Sequence, residues 1–235
     1  MGDKLNEPRR IYEHLWNEFV RAIERNDLEL DRHLLNKAQD FRRGLTLVFR
    51  PSQKVEDAIR PFLRQLTEAA PGQYFYRPEE FHVTVLSLIP GSENWRDQFH
   101  HLTAFQSVID QVLQRHRRFA INFRGVTASP GAVMIQGFPE DDTLARIRDD
   151  LREALRQARL GEQLDARYKI QTAHVTVMRF CNAKLDGKRT LELLKAWRTT
   201  DFGEASVEYL GLILGDWYAS ADTARTLRGY NLSAR

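Results

Sequence analysis

Two stretches decide the reading of this chain: Tyr76-Arg77-Pro78-Glu79-Glu80-Phe81-His82-Val83-Thr84-Val85 and Tyr168-Lys169-Ile170-Gln171-Thr172-Ala173-His174-Val175-Thr176-Val177. Each runs tyrosine, basic residue, four further residues, then His-Val-Thr-Val, and the offset between them is 92 residues throughout. On a β-strand successive side chains alternate faces. His82 and Thr84 therefore share one face, roughly 7 Å apart along the strand, and His174 and Thr176 do the same. The valines take the opposite, apolar face. Two such strands facing each other across a groove would gather two imidazoles and two hydroxyls.

Outward from these strands the order of elements repeats. Leu45-Thr46-Leu47-Val48-Phe49 reads as a strand ending at Pro51. A helix over 54–69 follows, with Val55, Ile59, Phe62, Leu63 and Leu66 on its apolar face and Pro61 in its middle. Then come a strand over 81–89, a helix over 98–117 and a strand over 118–126. The second half repeats this with a strand over 132–138, a helix over 141–159, a strand over 173–180, a helix over 188–198 and a strand over 204–214. In the 141–159 helix Leu144, Ile147, Leu151 and Leu155 line one side. A period of about ninety residues occurring twice suits two similar lobes rather than a solenoid. The expected fold is α+β and bilobal. Lobe one spans about 44–126 and lobe two about 132–214 plus a C-terminal tail, with two antiparallel sheets flanking a groove and helices outside. Residues 1–43 read as an N-terminal helical extension. Ile11, Tyr12, Leu15, Trp16, Phe19, Val20 and Ile23 recur at helical spacing. Asn26-Asp27 breaks the run into a hairpin with Leu28, Leu34 and Leu35 on its second arm.

Bulk composition narrows the class. Apolar residues at 42% and charged residues at 29% are ordinary for a globular chain able to bury a core. A net charge of +3 is too small for a nucleic-acid coat, though it leaves room for a local basic groove. No run approaches the ~18 apolar residues of a membrane span. The amino terminus lacks a signal-peptide core, and Asn6 breaks the myristoylation pattern. The lone Cys181 allows no internal disulfide and reads as a buried apolar residue. The expected compartment is the cytoplasm, without a membrane.

The paired motif suits phosphodiester chemistry. An imidazole titrates near neutrality, so one ring can be neutral and the other protonated at once. The neutral ring takes a proton from the attacking hydroxyl, and the protonated one gives a proton to the leaving oxygen. The threonine hydroxyls can donate to non-bridging phosphate oxygens. His82, Thr84, His174 and Thr176 are thus the catalytic candidates. No metal or other cofactor is needed, and no zinc motif, Walker loop or Gly-x-Gly-x-x-Gly occurs. Tyr76, Arg77, Tyr168 and Lys169 are substrate-binding candidates because they repeat, although alternation puts the two basic residues on the wrong face. Surface solvation is their competing reading. Tyr218, beside Trp217, could stack on a base or pack in the core. His14, His33, His100, His101 and His116 carry no pattern, and Arg115–Arg118 reads as a solvated helix end.

Two His-apolar-Thr-apolar motifs about ninety residues apart resemble the signature of the two-histidine phosphoesterases. These include the 2′-5′ RNA ligase-like proteins and the cyclic phosphodiesterases. The resemblance covers roughly residues 44–232. It implies a bilobal α+β fold and a metal-independent enzyme working on 2′,3′-cyclic or 2′-5′ linkages of RNA or small nucleotides. The family pattern ends with a serine-bearing segment and a Gly-x-x-Tyr turn. Here Gly215-Asp216-Trp217-Tyr218 keeps the turn, and Gly211 stands about where the serine falls. The alternative function is an RNA- or nucleotide-binding module of the same fold without turnover.

Overall fold

The computed structural model describes residues 2–165 and 168–234. The first sheet holds β1 (Arg43–Phe49), β3 (Val83–Ser92), β8 (Tyr209–Gly215) and β9 (Arg225–Asn231), in the order β3-β1-β8-β9. The second holds β2 (Tyr74–Phe75), β4 (Phe119–Ser129), β5 (Ala132–Pro139), β6 (Val175–Arg179) and β7 (Asp201–Val207), in the order β2-β6-β5-β4-β7. Every pairing within the sheets is antiparallel. Among the described residues six α-helices complete the fold: α1 (Gly2–Arg25), α2 (Gln53–Ala69), α3 (Arg96–Phe99), α4 (Leu102–Leu113), α5 (Thr143–Gln157) and α6 (Gly187–Ala196). α4 and α5 pack on the first sheet, and α1, α2 and α6 on the second. One continuous apolar core runs through both. No helix among the described residues is long and apolar enough to cross a membrane.

The α+β class and the two antiparallel sheets agree with the sequence reading, but sequence-contiguous lobes do not describe them. β4, placed in lobe one, belongs to the second sheet, and β8 and β9 belong to the first. The reason is local. Ser129 pairs with Ala132 across the two-residue turn Pro130-Gly131, so β4 must lie beside β5. The third position of the first sheet is then filled by β8, which pairs with β1. The orders β3-β1-β8-β9 and β6-β5-β4-β7 correspond. The duplication survives in space, with each half lending the other a strand.

Other differences have equally local causes. The single strand read at 204–214 is two strands, because the chain crosses from one sheet to the other at Glu208. The helix read at 98–117 stops at Leu113. His116 beyond it is buried, with Nε2 2.9 Å from Asp150 Oδ2. α2 runs through Pro61; the carbonyl that proline leaves unpaired is that of exposed Asp57, where water can reach it. In the extension, α1 ends at Arg25 and Asn26 turns left-handed at φ 53°. A 3-10 stretch, Arg32–Gln39, replaces the second hairpin arm and leaves Leu35 exposed. Tyr12, Trp16 and Phe19 of α1 are buried in the core, so this helix is an integral layer rather than an appendage.

Candidate active site

The two motifs line one cleft between the sheets, enclosing about 150 Å³. His82, Thr84 and Ser87 come from the β3 side and His174, Thr176 and Arg179 from the β6 side. The residues after each threonine show how. Val85 and Leu86 are both buried, as are Val177 and Met178, so alternation fails directly after the motif in each strand. The ladders shift register at those places: Val48 pairs with Thr84 but Leu47 with Leu86, and Met134 with Thr176 but Val133 with Met178. A bulge resets the phase. It turns Ser87 and Arg179, which occupy matching positions of the repeat, back into the cleft. Strict alternation on the sequence misses both. The visible signal is the apolar pair that interrupts each His-Val-Thr-Val run.

His82 is fixed by the turn before it. Its Nδ1–H donates to the Glu80 carbonyl at 2.7 Å, which leaves Nε2 as the free nitrogen. His174 Nδ1 lies 2.9 Å from Thr172 Oγ1. The hydroxyls of Thr84 and Thr176 have no hydrogen-bond partner among the described residues. Burial lowers the pKa of His82, with the field of Arg50 and Arg179 adding to it; the Glu80 carbonyl and carboxylate oppose this. Burial also pushes His174 down to about 4, helped by the positive fields of Arg148, His82 and Arg179.

That depression has a consequence for stability. An unfolded histidine titrates near 6.5. Between about 6.5 and 4 the unfolded chain binds a proton that the folded chain refuses. Stability therefore rises with pH across this window and is lost as pH falls through it. Calorimetric Tm should drop between pH 6.5 and pH 4.5, and His174→Gln should flatten that slope. An identical slope in the variant would refute the depression.

The remaining sequence candidates divide. Tyr168 is 62% exposed and lines the cleft. Tyr76 also borders it, but its ring is buried and its hydroxyl accepts from Arg179 Nε at 2.9 Å, so it holds the arginine. Arg77 does not line the cleft. It pairs with buried Glu80 at 2.9 Å and with Asp222 at 3.1 Å, because the 3-10 turn Pro78–Glu80 directs it away. Its contribution is to the turn whose carbonyl fixes His82. Lys169 also lies outside the cleft, facing Asp149 at 3.9 Å. Tyr218 is wholly buried, its hydroxyl donating to Asp31 Oδ2 at 3.0 Å, whereas half-buried Trp217 borders the cleft. Of the pair, Trp217 is the one that borders the cleft. Gly211 lies on β8 outside this cleft.

Comparison with known proteins bears on the fold and the family. No curated protein sequence matches the chain. TT0787 of Thermus thermophilus is similar in structure at a TM-score of 0.62 and 17% identity, over 82% of this chain and 99% of that one. E. coli LigT complexed with 3′-AMP is similar at a TM-score of 0.57 and 14% identity, again over 82% and 99%. At such identities the likeness concerns the fold. A family model for the 2′-5′ RNA ligase superfamily matches residues 55–214, more than half of the chain and both His-Val-Thr-Val strands. The chain therefore belongs to the 2′-5′ RNA ligase superfamily of two-histidine phosphoesterases.

Proposed function

We propose that this protein is a metal-independent phosphodiesterase that opens 2′,3′-cyclic phosphates of RNA ends or nucleotides, or acts on 2′-5′ linkages. The observation that carries the reading is the gathering of both His/Thr pairs in one cleft, with partner-free hydroxyls and the Arg179 cation beside them. E. coli LigT has been crystallised with 3′-AMP, phosphate, ATP and NADP+, which supports a nucleotide in the equivalent fold.

The two histidines take different roles. His174 faces three positive groups and is held neutral, which suits the base that takes a proton from the attacking water. His82 has the Glu80 carboxylate and carbonyl favouring its protonated form, which suits the acid. Water oxygen bonds to phosphorus as its proton passes to His174, and the P–O bond to one ribose oxygen breaks as His82 Nε2–H protonates that oxygen. Thr84, Thr176 and Arg179 bind the phosphoryl oxygens as charge builds on them. The negative charge of the bound phosphodiester, a monoanion, raises both histidine pKa values, moving them toward the working pH. Tyr168 and Trp217 flank the base.

The test is turnover of all four 2′,3′-cyclic nucleotides and of 2′-5′-linked oligonucleotides, with and without a chelator. Turnover that survives chelation supports the reading. Loss on chelation with recovery by one metal overturns the mechanism, and saturable binding without turnover establishes the binding module instead.

A further inference from the structure

We infer that Tyr12 and Arg148 are positioning residues that set His174 and its spacing from the first motif, which makes the N-terminal helix part of the working site. The inference rests on the two-histidine reading above. It begins from a gap in the sheet. The β5–β6 ladder runs from Ala132 opposite Arg179 to Ile135 opposite Val175 and stops there. His174 lies one residue beyond its end, so the ladder does not hold the segment that aims the ring.

Other groups do. Gly137 of β5 comes so close to this segment that a Cβ added to it would collide with the Ala173 carbonyl oxygen, so only glycine fits. Into the gap comes the hydroxyl of Tyr12, wholly buried. It accepts from the Gly137 and Ala173 amides, each at 3.2 Å, and donates to the Gly137 carbonyl at 3.2 Å. Burial pushes this phenol up to about 12, so it keeps the proton it donates. Thr127 of β4 donates to the Tyr12 carbonyl at 3.1 Å and ties the helix down. Tyr12 thus replaces the missing rungs next to His174.

The other side of the segment is held from α5. Arg148 Nη2 donates to the Thr172 carbonyl at 2.8 Å and to the Thr84 carbonyl at 2.7 Å, and Nε donates to the Val85 carbonyl at 2.9 Å. One guanidinium therefore joins the first motif strand to the residue two before His174. It is buried and forms no ion pair among the described residues, so its charge is not cancelled locally. The groups facing His174 are Arg148 from α5, His82 from the β3 side, Arg179 from β6, and Thr172 on its own segment, whose hydroxyl contacts both Tyr12 and His174 Nδ1. Arg148 both spaces the motifs and opposes protonation of the ring. Tyr12 lies outside residues 55–214 matched by the family model, so this support is supplied by the chain's own extension.

The test combines histidine side-chain NMR titration with the pH–rate profile of 2′,3′-cyclic nucleotide hydrolysis. Tyr12→Phe removes only the hydroxyl. It should lower kcat by about 10- to 100-fold with little change in KM, as small misplacement of a catalytic group does, in a protein with native circular dichroism. Arg148→Gln keeps one amide donor, near the Nε position, and removes the charge, so the His174 titration midpoint should move up. Arg148→Lys keeps the charge and should leave that midpoint near wild type. Wild-type kcat in folded Tyr12→Phe, or an unmoved His174 midpoint in folded Arg148→Gln, overturns the inference. If Arg148→Gln does not fold, Tyr12→Phe decides. If no substrate turns over, the titrations decide alone. A midpoint that separates Gln from Lys then upholds the positioning while the phosphodiesterase reading fails.

Discussion

His82→Ala and His174→Ala should each lower turnover of 2′,3′-cyclic nucleotides by about 10²–10⁴-fold, the usual contribution of a positioned general acid or base. The two losses should differ in kind. With His174 gone, the acid limb of the pH–rate profile, where that ring gains a proton, should vanish. With His82 gone, the alkaline limb should vanish. The wild-type limbs belong to the coupled pair, since each ring's charge acts on the other. The double variant should be little worse than either single one, because an acid and a base that act in one transition state do not contribute independently. Steady-state kinetics across pH, with melting curves as a control for folding, checks all of this. A histidine whose alanine variant keeps a near wild-type kcat is structural.

Thr84→Val and Thr176→Val should each slow the reaction by about ten- to a hundredfold while leaving Tm nearly unchanged. Valine keeps the branched shape that suits a strand and deletes only the hydroxyl. Neither hydroxyl has a protein partner among the described residues, so nothing in the folded chain is orphaned by the change. A hydrogen bond to a charged group contributes about 1.5–3 kcal/mol, and ~1.4 kcal/mol corresponds to a decade of rate. A packing role predicts the reverse, a shifted Tm and an unaltered rate. Measured kcat/KM and Tm for the two variants separate these outcomes. Unchanged rates in both would remove the threonines from the mechanism.

The sequence alone determined the two motif strands, the faces of His82, Thr84, His174 and Thr176, and the apolar sides of α2 and α5. These follow from periodicity, which is local: period two places a histidine and the threonine two residues on together, and helical spacing aligns Leu144, Ile147, Leu151 and Leu155. The repeated Tyr-basic pair shows where locality ends. Tyr76 and Tyr168 are equivalent in sequence, yet one is buried beneath Arg179 and the other stands exposed at the cleft. Arg77 and Lys169 repeat as faithfully as the histidines and neither borders the cleft.

What the tertiary structure decided is non-local. The Pro130-Gly131 hairpin sends β4 to the second sheet, so the halves interleave although the repeat itself is contiguous. The bulges after Thr84 and Thr176 turn Ser87 and Arg179 into the cleft, a change of phase that only the pairing with β1 and β5 makes visible. Arg148 lies on the apolar side of an otherwise charged helix, and nothing in its neighbours along the chain says that carbonyls of β3 and of the segment before β6 await it. Tyr12 is one apolar position among several on α1 until the gap between Gly137 and Ala173 gives its hydroxyl a place. Periodicity reports which side of an element is buried. Only the packing of one element on another settles what a buried polar group meets there, because its partners are distant in sequence and are brought together by the fold.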